Sequence, residues 1–346
     1  MSIAWWKWLS ALTVLITLIV GLKAPLSPGI PAVSPDKLDY GATSVTITGY
    51  NTHFEEASSS LQVWVKNGEA VFCPYEMAIV DENTMRASFS ITEVIDGAFF
   101  DLYVNNDKDG TLFLPRAFLQ SGMEVGLNPD KTEDCRKEIT VTEAAAYDFP
   151  NQPILNETIR NLLVHVPSWF AMIFVMLLSL IYSIRFLNSS NMNFDVRAET
   201  AAHVGLLFAF IGLATGSIWA RFTWGAWWVS DPRLNGAALG VLVYLAYFVL
   251  KSSINDKEKS ARLGAVYNIF AFTMMILFVM VLPRMTDSLH PGVGGNPAFS
   301  QYDLDDNLRL VFYPAVFGWI GMAVWIFDVR YRIMKLRYRE LLGNEE

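Results

Sequence analysis

The chain has 346 residues, of which 53% are hydrophobic, 14% aromatic and only 17% charged. That is too little polar surface for a soluble globule of this length, and it places the chain in a membrane. The net charge of −8 argues against a nucleic-acid-binding protein, which carries a basic footprint, and the acidic excess falls mainly between residues 36 and 148. Two cysteines, Cys73 and Cys135, lie in this acidic stretch without C-x-x-C or metal-knuckle spacing. A disulfide and two unpaired small hydrophobes fit them equally.

In chain order, residues 1–23 hold a first apolar stretch from about 5 to 22, near the roughly 20 residues a helix needs to cross a bilayer. Val20-Gly21-Leu22-Lys23-Ala24 offers no clean small-x-small cleavage site, and Trp5, Trp6 and Trp8 suit the membrane interface, so the segment reads as a retained helix. Residues 30–120 read as a β domain. Runs such as Ser44-Val45-Thr46-Ile47-Thr48, Leu61-Gln62-Val63-Trp64-Val65, Met85 to Ile91 and Phe99 to Val104 are separated by Gly, Asn and Asp turns, the pattern of an immunoglobulin-like sandwich. Residues 121–158 hold few apolar runs and read as a linker, ending in Pro150-Asn151-Gln152-Pro153. Five further apolar stretches, at about 162–186, 200–219, 234–250, 264–283 and 310–329, make residues 159–339 a membrane domain, with 340–346 as a short tail end. The fold class is therefore a polytopic α-helical membrane protein of six transmembrane helices with an inserted, extracytoplasmic all-β, immunoglobulin-like sandwich.

Lys and Arg accumulate in cytoplasmic loops. Arg185 and Arg197, then Lys251, Lys257, Lys259 and Arg262, then Arg330, Arg332, Lys335, Arg337 and Arg339 mark three cytoplasmic segments. Alternation places both termini inside. The stretch 24–158 and the loops at about 220–233 and 284–309 fall outside.

One of those outer edges is dense in aromatic residues. Trp219 to Arg233 contains Trp219, Trp224, Trp227, Trp228 and Phe222 with Arg221 and Arg233, interrupted by Gly225 and Pro232, which disturb a continuous helix. Flat aromatic faces suit a flat apolar ligand whose carboxylates the two arginines can pair; an interfacial aromatic belt is the plainer reading. Of four histidines, His165 and His290 fall on the same side as these tryptophans. Two imidazoles facing an aromatic shelf fit axial ligation of haem iron, although either one alone is also explained as a polar residue near a helix end. His203, near the cytoplasmic end of the third helix, reads as a core or interfacial residue, and His53, in the β domain, has no assigned role.

Three blocks carry a family resemblance: Arg160-Asn161-Leu162-Leu163-Val164-His165-Val166-Pro167; Ala214-Thr215-Gly216-Ser217-Ile218-Trp219, continuing through Trp224-Gly225-Ala226-Trp227-Trp228-Val229-Ser230-Asp231-Pro232-Arg233-Leu234; and Ser288-Leu289-His290-Pro291. They resemble the cytochrome c maturation haem-handling protein C family, also called haem exporter protein C, whose signature is W-G-x-W-W-x-W-D-x-R. The resemblance covers residues from about 158 to 339 and, by position, the first helix. It implies axial ligation of haem b, iron protoporphyrin, by His165 and His290, and haem contact by Trp224, Trp227, Trp228, Asp231 and Arg233. Arg160 falls where the family has an arginine five residues before its first histidine, which implies propionate contact; Arg221 joins the set as a second basic residue of the shelf.

The resemblance further implies a bacterial inner-membrane protein that holds haem rather than an enzyme. It would hand haem to a separate haem chaperone with the help of ATP-driven transporter subunits and a small membrane adaptor. Ser230 stands where the family usually has tryptophan, Asp231-Pro232 is similar to the D-P of synthase-type relatives, and the β domain is foreign to the short family pattern. Two alternatives follow: a synthase-type protein attaching haem to apocytochrome c, and a surface binding or adhesion protein acting through the β domain.

Overall fold

The computed structural model describes residues 4–68, 70–91, 99–121, 147–151, 156–286, 288, 290 and 304–343. The chain divides into two compact units: Pro25–Asn156, and Met1–Ala24 together with Glu157–Glu346.

The first unit contains strands β1 (Gly29–Ser34), β2 (Lys37–Asp39), β3 (Gly41–Tyr50), β4 (Gln62–Asn67), β5 (Ala70–Phe72), β6 (Pro74–Asp81), β7 (Thr84–Ile91), β8 (Phe99–Asn106) and β9 (Gly110–Ser121). They form two sheets, ordered β1-β3-β7-β6 and β2-β9-β8-β4-β5. Named in chain order, the first is A-B-E-D and the second A′-G-F-C-C′, the strand order of an immunoglobulin-like sandwich. Inward positions alternate along each strand: Val45 and Ile47 on β3, Met85, Ala87 and Phe89 on β7, and Phe118 on β9 meet in one apolar core.

The unit reaches beyond the expected residue 120. Phe149 is fully buried and bridges Leu26, and its amide donates to the Pro25 carbonyl at 2.9 Å. The end of the stretch expected as linker thus closes onto the start of the same unit. Cys73 is disulfide-bonded; Cys135 lies outside the described residues.

The second unit is helical. It comprises α1 (Trp5–Lys23), a 3-10 turn Asn156–Asn161 leading into α2 (Leu162–Ser189), α3 (Met192–Trp224) and α4 (Pro232–Ser252). It continues with α5 (Lys257–Ile276), which runs through a π turn (Leu277–Val281) into α6 (Leu282–Met285), and ends with α7 (Asp306–Gly343). Counting α5, the π turn and α6 as one rod, six helices among the described residues are long and apolar enough to cross a membrane. Each helix outruns the apolar stretch that announced it because polar caps and charged ends continue the spiral past the hydrocarbon. Asp256 accepts from the amides of Glu258 and Lys259 to start α5, Asn191 caps α3, and α7 continues to Gly343, into the expected tail.

Small residues and internal polar bonds hold the bundle together. On α3, Gly205, Gly212 and Gly216 lie so close to α2 that an added Cβ would stand 2.5 Å from Met176, 2.7 Å from Trp169 and 2.7 Å from His165. Close approach of this kind is how helices associate in lipid, where apolar burial gives little drive. Asn268 on α5 donates to Ser179 at 2.7 Å and Ser183 at 2.8 Å on α2. At the opposite end from the tryptophan loop, Lys251 bonds Asp195 at 2.7 Å and Glu199 at 2.9 Å, a pairing that makes a half-buried cation tolerable.

Candidate functional site

The tryptophan segment is a loop between two helix ends. Gly225 terminates α3 with φ of 78°, a conformation that favours glycine. Asp231 caps α4, its Oδ1 accepting from the Arg233 amide at 2.9 Å, with Pro232 in the first turn where no amide hydrogen is needed. The two residues expected to interrupt a helix therefore mark where one ends and the next begins. Ser217 donates to the Trp227 carbonyl at 2.7 Å, and Trp228 Nε1 donates to Asn235 Oδ1 at 3.2 Å. Those bonds hold the loop while the Trp227 and Trp228 rings stay exposed. Trp219 is buried and meets the half-buried Trp224 edge-on at 4.7 Å. The exposed Arg221 guanidinium donates to the Gly225 carbonyl.

His165 sits in the first turn of α2, a turn fixed from three directions. Pro167 has no amide hydrogen to give the Leu163 carbonyl, and Trp319 Nε1 of α7 donates to that carbonyl instead, at 3.2 Å. Asn161 Nδ2 donates to the Thr215 carbonyl at 3.1 Å, and the imidazole packs edge-on against Trp169 at 6.2 Å. The Thr215 hydroxyl lies 3.1 Å from His165 Nδ1 and also 2.8 Å from the Ile211 carbonyl. A hydroxyl has one proton, and a carbonyl can only accept, so that proton goes to Ile211. The oxygen is left to accept from His165, which puts the imidazole hydrogen on Nδ1 and leaves Nε2 as the bare lone pair.

His290 faces this turn from the other side. Its ring lies 4.9 Å from Trp219 and 6.0 Å from Trp224. Its Nδ1 is a buried nitrogen with no hydrogen-bond partner among the described residues, an orphan that calls for a ligand, since buried polar atoms are almost always satisfied. Burial, reinforced by the nearby Arg233 charge, pushes its pKa down to about 3, so the ring is neutral near pH 7. The loop that carries it is tied to the tryptophan segment: Ser288 Oγ donates to Asp231 Oδ2 at 2.8 Å and accepts from the His290 amide at 3.1 Å.

The two imidazole centres are 6.3 Å apart. Two rings that each donate a nitrogen at about 2 Å to one metal ion between them stand roughly 6 Å apart, so the spacing and the orphaned nitrogen suit an iron held between them. The structure thus brings His165, His290 and Trp224 together, with Trp227 and Trp228 exposed on the adjoining loop and Asp231 buried beneath it. Arg160 is elsewhere engaged, its Nη1 donating to the carbonyls of Gly21 at 2.5 Å and Ala24 at 2.7 Å at the end of α1, its Nε to Glu157. His203 packs on Phe248 at 4.0 Å, and His53 pairs with Asp109 at 2.7 Å within the β unit.

Sequence reasoning placed Trp219 in the aromatic segment but gave no role to Thr215, Ser288, Gly212 and Gly216. The glycine pair carried a usable signal, since Gly212 and Gly216 are four apart on one helix, the small-residue spacing of close membrane packing. The threonine and serine are too common to stand out.

Fold and site together define a polytopic membrane protein that presents two imidazoles and a tryptophan loop at one end of its helices. The chain belongs to the Heme exporter protein C family, whose pattern matches residues 140–341. It is 34% identical over 184 residues to the Heme exporter protein C of Bradyrhizobium diazoefficiens, covering 53% of this chain and 70% of that protein. It is 27% identical over 190 residues to that of Paracoccus denitrificans, covering 54% of this chain and 78% of the relative. With the protein of the same name from Escherichia coli K12, identity is 24% over 144 residues, 40% of this chain and 54% of the relative. The nine strands, which end at Ser121, lie outside the family match.

Proposed function

We propose that the helical unit holds haem b at the extracytoplasmic face of the bacterial inner membrane and passes it to a separate haem chaperone during cytochrome c maturation. His165 and His290 are the axial ligands, and the tryptophan loop is the shelf. The observation that carries this is the pair of facing imidazoles, 6.3 Å apart, one with its Nε2 lone pair exposed by the bond to Thr215 and the other with an orphaned nitrogen. The sidedness rests on the lysines and arginines. They gather at the α2–α3 and α4–α5 connections and along the end of α7, the helix ends away from the tryptophan loop. Exposed Trp227 and Trp228 rings leave part of a bound porphyrin accessible, which transfer to another protein requires. ATP-driven transporter subunits and a small membrane adaptor are the remaining partners of this reading.

Purified protein is expected to show the low-spin absorption spectrum of bis-histidine haem. The double substitution His165→Ala, His290→Ala removes both ligands and should abolish it; a spectrum unchanged by that substitution rules out the ligand assignment.

A further inference from the structure

We infer that Asp231, the acidic residue of the tryptophan signature, is a positioning residue for the ligand His290 rather than a group that touches the bound molecule. Asp231 is 1% exposed. Oδ1 accepts from the Arg233 amide at 2.9 Å and so anchors the start of α4. Oδ2 accepts from the Ser288 hydroxyl at 2.8 Å, and that hydroxyl in turn accepts from the His290 amide at 3.1 Å.

The direction of each bond is fixed. The single Ser288 proton points to Asp231 Oδ2, and the serine oxygen has only lone pairs left for the His290 amide. One buried carboxylate therefore sets two things at once: where the tryptophan loop meets α4, and where the backbone of His290 stands against Trp219 and Trp224. The shelf and the second ligand are held in register by Asp231, with Ser288 as the link. Ser288 lies outside the signature, and this role for it follows from the hydrogen bonds alone.

The inference rests on His290 being a haem ligand, and its test separates the two claims. The full-length protein in detergent is loaded with ferric haem, and absorption and electron paramagnetic resonance spectra are recorded with a haem titration. Ser288→Ala leaves the α4 cap intact and removes only the link. It is expected to convert the low-spin bis-histidine signal largely to high-spin, single-histidine haem, with affinity lowered roughly tenfold to a hundredfold, the loss usual for outer partners of a metal ligand. Free imidazole should restore the low-spin signal by filling the vacated position, and Ser288→Thr, which keeps the hydroxyl, should bind as the parent does. Asp231→Ala with Ser288→Ala should be no worse than Asp231→Ala alone. If His165→Ala, His290→Ala abolishes the signal while Ser288→Ala leaves spectrum and affinity unchanged, the positioning role is overturned and the haem site stands. If the double histidine variant keeps the parent spectrum, the haem reading falls and the positioning role with it.

Discussion

The two units of this chain solve the same packing problem in different solvents. In the β unit, large side chains turn inward and the interior is a continuous apolar core of Phe54, Phe89, Phe100 and Phe118 with aliphatic neighbours. The helical unit turns part of this pattern outward: Leu242, Val249 and Phe317 stand exposed, while inside, an apolar cluster that includes Met172, Phe208 and Tyr244 is joined by close glycine contacts and by serine and asparagine bonds. Water drives large apolar groups into the first interior. Lipid does not distinguish a leucine facing it from one facing another helix, so the second interior is selected by shape and by the need to satisfy every polar atom. The imidazole pair belongs to the second kind of interior. Its first ligand stands where it does because a glycine opposite has no side chain.

That contrast is broken most severely by emptying the water-driven core. Phe118→Ala removes a fully buried ring from the sandwich, and such truncations cost about 3–5 kcal/mol. The expected outcome is a β unit that melts early or is cut by protease, measured by limited proteolysis and near-ultraviolet circular dichroism. Haem absorption of the helical unit should stay unchanged. A parallel loss of the haem signal would show that the helical unit depends on the sandwich.

Adding one carbon to the lipid-embedded interior should have a smaller energetic effect and a larger functional one. In Gly216→Ala the new Cβ would stand 2.7 Å from His165 Cε1; overpacking of this order costs about 1–3 kcal/mol, and relief requires α2 to move or the imidazole to turn. The low-spin haem signal is expected to weaken while the β unit keeps its protease resistance. A variant that binds haem as the parent does would mean that His165 has room the structure does not show.

Legibility in the sequence followed the same division. Six apolar stretches announced the six membrane helices, and rare residue types pointed to His165, His290 and the tryptophans. Strands with regular alternation, such as β7 with Met85, Ala87, Phe89 and Ile91 turned inward, were also readable. Strand β6 was not: it is the edge of its sheet, and outward Tyr75, Met77 and Val80 erase the alternation. Phe149 was missed because a single buried aromatic far from the last strand has no period to read. Arg160 was read through its place in the resemblance, yet its partners are carbonyls of α1 more than a hundred residues earlier. Thr215 and Ser288 act through hydrogen bonds of a single hydroxyl, which joins residues far apart in the chain and leaves no pattern in the sequence.

The smallest effect concerns the polar bonds that run beside the apolar cluster of the bundle. Asn268 is fully buried, with Nδ2 shared between Ser179 and Ser183 and Oδ1 without a partner among the described residues. Bonds of this type within a membrane are worth about 0.6 kcal/mol on average, so deleting two would cost roughly 1 kcal/mol. Asn268→Leu also removes the orphaned carbonyl, whose burial is itself unfavourable, and this offsets part of the loss. The expected shift in thermal unfolding of the detergent-solubilised protein is therefore small, and haem binding should persist. A destabilisation as large as that of Phe118→Ala would show that this bundle relies on its buried polar network as heavily as the sandwich relies on its phenylalanines, and the contrast between the two interiors would fail at its weakest point.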